Sequence, residues 1–132
     1  MPIIDKLAWI EIKNKKILST RSIGKDTYYL PSGKREAGES DAEALCREIK
    51  EELSIEIQPD SIRLVGVFEA QAHGHPPGTL VRMTCYSAGY SGKIMAASEI
   101  AEVKWFRHAD KEFISEVDKL IFDYLKEVGL LD

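Results

Sequence analysis

Positive charge in excess is what this sequence most plainly lacks: 18 Lys and Arg stand against 22 Asp and Glu, for a net charge of −4 at pH 7. Duplex binding rests on neutralising a phosphate backbone, so duplex DNA or RNA is not an expected partner. A small phosphorylated ligand stays open, because a metal ion can supply the missing cations. Cysteine is scarce too, with two residues, Cys46 and Cys85. Neither has a CxxC or a nearby Cys/His spacing, which argues against a metal site built on them. The opening "MPIIDKLAWIEIKNKK" has no basic-then-apolar signal layout. No apolar run approaches the roughly 20 residues needed to cross a bilayer. The expectation is a cytoplasmic protein, monomer or homodimer, with reduced thiols and no membrane association. Repeats, low-complexity tracts and linkers are also missing. A chain of 132 residues is the size of one domain, and residues 1–132 read as one.

What is present is an ordered succession of elements. "KLAWIEIK", "NKK" and "ILSTRS" read as a hairpin turning near Asn14 and Lys15. "GKDTYYLPSGKREAGE" reads as a loop with a short aromatic strand inside it. Ser40 opens a helix, and Glu43 three residues on completes an S-x-x-E capping box; the helix runs to about Leu53. The segments "SIRLVGVFEAQA", "TLVRMTCYSAGY" and "AEVKWF" read as strands. "KEFISEVDKLIFDYLKEVGLL" sets Phe113, Val117, Leu120, Ile121, Tyr124, Leu125 and Val128 at helical spacing, an amphipathic closing helix. This order implies a mixed β-sheet with helices on both faces, an α/β/α sandwich.

The helix opened by Ser40 carries an anomaly. Leu45, Ile49 and Leu53 fall on one stripe, with Ala42 and Cys46 beside it, and form the expected core face. Glu48, Glu51 and Glu52 gather on another side, flanked by Ala44. Like charges at i, i+3 and i+4 repel by about a few tenths of a kcal/mol per pair. They are either a solvated face, with Arg47 and Lys50 as partial neutralisers, or oxygen ligands for a hard cation such as Mg²⁺. The helix alone leaves both readings standing.

The loop in front of the helix separates them. Residues 33 to 55, "GKREAGESDAEALCREIKEELSI", resemble the Nudix box, G-x5-E-x7-R-E-U-x-E-E-x-G-U with U aliphatic. Gly33, Glu39, Arg47, Glu48, Ile49, Glu51, Glu52 and Ile55 match; Ser54 stands where the pattern has glycine. That position follows the helix, where a left-handed residue is convenient, so serine there bears on local geometry more than on chemistry. The resemblance implies the Nudix fold over the whole chain. It also implies Mg²⁺- or Mn²⁺-dependent hydrolysis of a nucleoside diphosphate linked to another moiety. Glu48 and Glu52 are then the principal metal ligands, Glu51 serves a further ion, and the Ser32 carbonyl completes the shell. Gly33 lets the loop fold over the helix. Arg47 orients a carboxylate, Glu39 or Glu51, through a paired hydrogen bond. Glu39 has a competing role as an anion near the helix N-terminus. Glu48 is the first choice for general base. Glu99, offered together with Glu102 by "ASEIAEVKWF", is the alternative base or an additional ligand.

Substrate contacts are sought on the strand "VGVFEAQAH". Alternation sends Glu69, Gln71 and His73 one way and Gly66, Phe68, Ala70 and Ala72 the other. The polar row suits base or sugar recognition, or else a solvated sheet face. Arg21 and Arg82 are candidates for phosphate, and Tyr28 and Tyr29 for stacking, with core packing as the competing role for the tyrosines. His73 and His75 form an H-x-H pair, not expected to bind metal without a third ligand. The expected substrate is a nucleoside or deoxynucleoside triphosphate, oxidised forms included, since no appended domain of the kind used by many nucleotide-sugar hydrolases is seen. A nucleotide sugar, a dinucleoside polyphosphate, a cap-like substrate, or a sensing domain without turnover are the alternatives.

Overall fold

The computed structural model describes residues 2–132. Its elements, in chain order, are β1 (Ile3–Ile10), β2 (Ile12–Lys13), β3 (Lys16–Ser22), β4 (Tyr28–Tyr29), β5 (Ser32–Gly33) and α1 (Asp41–Leu53). Then follow β6 (Glu56–Ile57), β7 (Arg63–Gln71), β8 (Leu80–Ser87), β9 (Tyr90–Ser91), β10 (Ile100–Phe106) and α2 (Glu116–Glu127). Two 3₁₀ turns, Pro59–Ser61 and His108–Phe113, precede β7 and α2.

One sheet has the order β5-β1-β8-β7; β1 runs parallel to β8, and the other neighbours are antiparallel. A second sheet runs β10-β3-β2, with β4 paired to β3, and β6 and β9 form a separate ribbon. Strand β1 explains the layering. Leu7, Ala8, Trp9 and Ile10 are all buried, which marks a strand covered on both faces. Leu7 and Trp9 join Leu45, Ile49 and Leu53 of α1 in one core cluster. Ala8 and Ile10 join Val117, Ile121, Phe122 and Leu125 of α2 in the other. The result is the expected α/β/α arrangement with a mixed sheet.

Helix α1 forms where its sequence says it should. The Ser40 hydroxyl accepts from Glu43 N at 3.2 Å, and the Glu43 carboxylate accepts from Ser40 N at 2.9 Å, so the capping box is closed. Leu45, Ile49 and Leu53 are buried as expected, and each contributes about 1.5–3 kcal/mol of burial. Ser54 ends the helix in the left-handed region, at φ 62°.

Three expectations are corrected. The Asn14–Lys15 turn exists, with φ 51° and 60°, but it closes only the short β2–β3 ladder. Most of "KLAWIEIK" leaves that hairpin and pairs with β5 and β8 in the other sheet, because four successive buried residues need cover on both faces. The core stripe of α2 is also rotated from the expected one. Val117, Asp118, Ile121, Phe122 and Leu125 face inward, whereas Leu120, Tyr124 and Val128 are exposed and Phe113 lies in the preceding 3₁₀ turn. Finally, Ala44 is buried, so the Ala44–Glu48–Glu52 ridge of α1 packs against the protein, near β5, and does not stand in solvent.

Candidate active site

Strand β5 and helix α1 meet at one point. Gly33 pairs with Leu7 of β1, and the Glu48 side chain lies directly against the Gly33 backbone. A Cβ on residue 33 would overlap the Glu48 carboxyl group, so glycine is required by close approach and not by its own φ. Glu48 is thereby pinned between the β5 loop and Arg47.

Arg47 is the organising cation. Its Nε and Nη2 donate to the two Glu39 carboxylate oxygens at 2.7 and 2.8 Å, and its Nη1 donates to Glu48 Oε1 at 2.8 Å. Nη2 also donates to the Lys34 carbonyl at 3.0 Å, which ties the loop to the helix. Glu51 is only a loose neighbour at 3.6 Å and is mostly exposed. Of the two carboxylates offered for pairing, Glu39 takes the bidentate position. Arg47 and the Glu36 backbone amide hold the Glu39 carboxyl down at about 2. Glu39 lies before the N-cap, and Asp41 and Glu43 are the first-turn anions of the helix. Arg35 and Tyr86 hold Asp41 in turn, each at 2.5 Å.

Glu52 is the odd member of the cluster. Its Oε1 is buried and has no hydrogen-bond partner among the described residues. Burial, then the adjacent Glu48 charge, push its carboxyl up to about 8, against the opposing backbone hydrogen bond from Ser32. An acid held this way has an oxygen to offer and charge repulsion to be relieved, and a divalent cation answers both needs. Among the described residues no three His, Cys, Asp or Glu side chains already converge as a complete cage. The donor set suits Mg²⁺, which is commonly held by one or two carboxylates plus waters and phosphates. Glu48 and Glu52 would hold it, with Ser32 beside them and Glu51 at the solvent edge.

Glu52 and Ser32 open onto a cavity of about 310 Å³ between the two sheets. Tyr29, Gln71, His73 and His75 also line it. The remaining expected contacts are distributed differently. The Gln71 amide is spent on its own loop, donating to Pro76 O and accepting from Gly78 N. Glu69 and Arg82 pair with each other at 2.6 Å, half-exposed and outside the cavity. Arg21 donates to the Lys25 carbonyl and lies 3.7 Å from Glu102, also outside the cavity. Tyr28 is buried and hydrogen-bonded to Glu102; its ring packs edge-on against Phe106. Tyr29 meets His73 edge-on at the cavity mouth, with ring centroids 6.0 Å apart. Glu99 is exposed, on a loop anchored to α1 by Ala97 N donating to the Glu52 carbonyl at 2.9 Å.

Two residues of this region were not singled out by sequence. Lys6 lines the cavity, and Asp118 is fully buried behind it, accepting from Leu30 N at 2.9 Å. A signal for Lys6 was present: it sits in the period-2 row Ile4, Lys6, Ala8, Ile10. Asp118 was hidden by the misplaced stripe of α2.

Comparison with known proteins agrees with this geometry. The solved structure of the E. coli ORF135 protein superposes at a TM-score of 0.75, with 22% identity, covering 100% of this chain and 96% of that one. A MutT NUDIX hydrolase from Burkholderia pseudomallei gives 0.75 at 21% identity, covering 93% and 98%. A MutT protein from Methanosarcina mazei Go1 gives 0.74 at 18% identity, covering 97% and 96%. In sequence, a Bacillus subtilis protein named as a candidate ADP-ribose pyrophosphatase, YjhB, is 37% identical over 65 residues. That match spans 49% of this chain and 30% of the longer relative. The NUDIX domain profile matches residues 7–123, which take in the second half of β1, the Gly33–Glu48 contact, the Arg47–Glu39 pair and most of α2. With box, fold and profile in agreement, the chain belongs to the NUDIX domain family.

Proposed function

We propose that residues 1–132 act as one Mg²⁺- or Mn²⁺-dependent hydrolase that cleaves a pyrophosphate bond in a nucleoside diphosphate derivative. The leading substrate is a nucleoside or deoxynucleoside triphosphate, oxidised forms included, released as the monophosphate and pyrophosphate. The observation that carries this reading is the buried, unpartnered Glu52 oxygen, set beside Glu48 at the edge of the cavity. When bound there, the cation neutralises the pyrophosphate and favours an attacking water.

The chain's own residues divide the remaining work. Arg47 holds Glu48 and Glu39 in fixed geometry, so the carboxylates need no reorganisation when substrate arrives. Gly33 allows the loop to lie flat on Glu48. Glu48 is the first choice to take the proton from water, with Glu99 on its anchored loop as the alternative. The cavity, with Tyr29 and His73 at its mouth, takes the nucleoside. A second reading, a nucleotide sugar such as ADP-ribose, is favoured by the partial match to the Bacillus subtilis protein.

The test is a nucleotide library incubated with the chain and Mg²⁺, scored for release of phosphate, pyrophosphate or monophosphate. Turnover of triphosphates supports the leading substrate, and turnover of ADP-ribose or another nucleotide sugar supports the second. No turnover of any member overturns the hydrolase reading in favour of a sensing domain.

A further inference from the structure

The interior face of β1 carries a charge that neither the fold nor the acidic cluster requires. Ile4, Ala8 and Ile10 on that face pack with the α2 core, as alternation demands. Lys6 stands in the same row, and the next residue, Leu7, pairs with Gly33 of the Nudix box. Inward-pointing lysines are rare unless paired, because desolvating an ammonium is costly. Lys6 is only partly exposed and lines the cavity shared with Glu52 and Ser32. Among the described residues it is the only Lys or Arg that does so.

Three arginines near the site are engaged. Arg47 is taken up by Glu39 and Glu48, Arg82 by Glu69, and Arg21 by Glu102 and a backbone carbonyl. Lys6 acts on Glu52 and Asp118 through charge, and among the described residues it makes no hydrogen bond or ion pair to either. Its three donors are therefore available to an anion in the cavity.

We propose that Lys6 is a substrate-binding residue, taking the phosphate group attached to the nucleoside and holding it between β1 and Glu52. This rests on the proposed reading of the cavity as a nucleotide site. A substrate phosphate entering beside Glu52 meets a carboxylate, and Lys6 supplies the opposite sign in the same cavity. The alternative role, a mere counter-charge for Asp118, stabilises the fold without distinguishing a nucleotide from a nucleoside.

The experiment measures metal-free binding of AMP, GMP, CMP and UMP, each beside its nucleoside, to the full chain and to Lys6→Met and Lys6→Arg. Titration is followed by NMR, and melting curves verify that each variant is folded; Lys6→Gln replaces Lys6→Met if the latter is not. Wild type is expected to bind at least one monophosphate about tenfold or more tightly than its nucleoside, as a charge-assisted hydrogen bond allows. Lys6→Met should shrink that gap to under about threefold with nucleoside affinity unchanged, and Lys6→Arg should keep most of it. On a turned-over substrate, Lys6→Met should raise KM more than it lowers kcat. An undiminished gap in Lys6→Met, no gap in wild type, or Lys6→Arg behaving like Lys6→Met overturns the assignment. Failure of the wild-type turnover screen overturns the hydrolase reading instead, and a Lys6-dependent phosphate gap still supports this one.

Discussion

Glu52 and Asp118 are acids in the protein interior, one on each of the helices that cover the β1 sheet. Burial pushes both upward, to about 8 and about 7 respectively, and each has one oxygen without a hydrogen-bond partner. Their surroundings differ. Asp118 is fully buried, accepts from Leu30 N, and has the opposite charge of Lys6 acting on it. Glu52 opens on the cavity and is crowded by the charges of Glu48 and Glu51. A lone buried acid can sit protonated and serve as a hydrogen-bonding strut for the loop carrying Leu30. A buried acid in a row of acids keeps its repulsion until an outside cation relieves it. The same desolvation thus acts on an enclosed group on α2 and on a cavity-facing one on α1, the one we propose as a metal ligand.

The sharpest break of the comparison is in activity. Glu52→Gln should abolish turnover, by about a hundredfold or more, in a folded protein whose stability holds or rises as carboxylate repulsion falls. A variant within tenfold of wild type at saturating Mg²⁺ would remove Glu52 from the metal site. For the base, Glu48→Gln should lower kcat by about 10²–10⁴-fold or more with no rescue by added metal. Glu99→Gln should show a milder defect that high Mn²⁺ restores. The reverse pattern in a metal titration hands the base role to the Glu99 loop.

Next in size is the contrast between the core faces of the two helices. Leu45→Ala, a truncation at a fully buried site, should destabilise by about 2–5 kcal/mol. Leu120→Ala, on the exposed side of α2, should change stability by less than about 1 kcal/mol. Equal losses in denaturant melts would return the stripe of α2 to the one expected from sequence.

Asp118 sharpens the comparison through pH. Its folded-state pKa is raised above the unfolded value, so the unfolded chain ionises first as pH rises from about 4 to about 7. The folded state then binds more protons than the unfolded one, and stability falls across that window, by at most a few kcal/mol from this group. Asp118→Asn, which keeps an acceptor for Leu30 N, should flatten that part of the profile. Parallel curves of melting temperature against pH for wild type and variant would count against a buried, protonated Asp118. Metal-free Glu52 contributes a slope of the same sign that extends to about pH 8, and Glu52→Gln should remove it separately.

The smallest effect tests the one departure from the box. Ser54 adopts φ 62° with no glycine to make that conformation cheap. Ser54→Gly should stabilise by up to about 1 kcal/mol and leave activity unchanged. A destabilised variant would mean that the serine side chain contributes something its position does not reveal.

Much of the site was legible before any fold was known, and the reason is locality. The capping box of Ser40 and Glu43, the αL ending at Ser54 and the Leu45–Ile49–Leu53 stripe each depend on residues within one or two turns of each other. The spacing of Gly33, Glu39, Arg47, Glu48, Glu51 and Glu52 is local in the same sense, because a loop and one helix hold them all. Side-chain alternation within β1 was equally readable, yet it did not say which sheet would receive the strand.

What only the tertiary structure decided is everything that joins distant segments. The hydrogen bond from Leu30 to Asp118 spans 88 positions, and that from Tyr86 to Asp41 spans 45. Periodicity carries no signal at such separations. Helix α2 buries Asp118 and Phe122 and leaves Leu120 and Tyr124 exposed, a rotation away from its most apolar stripe. The need of Leu7 through Ile10 for cover on both faces drew β1 away from the hairpin. That same move turned Lys6 inward to the cavity beside Glu52. The sequence by itself determined which residues are chemically able to hold a cation and which segment presents them. The packing of β1 between two helices decided which of them face the cavity, because a strand with two buried faces must commit each side chain to one side or the other.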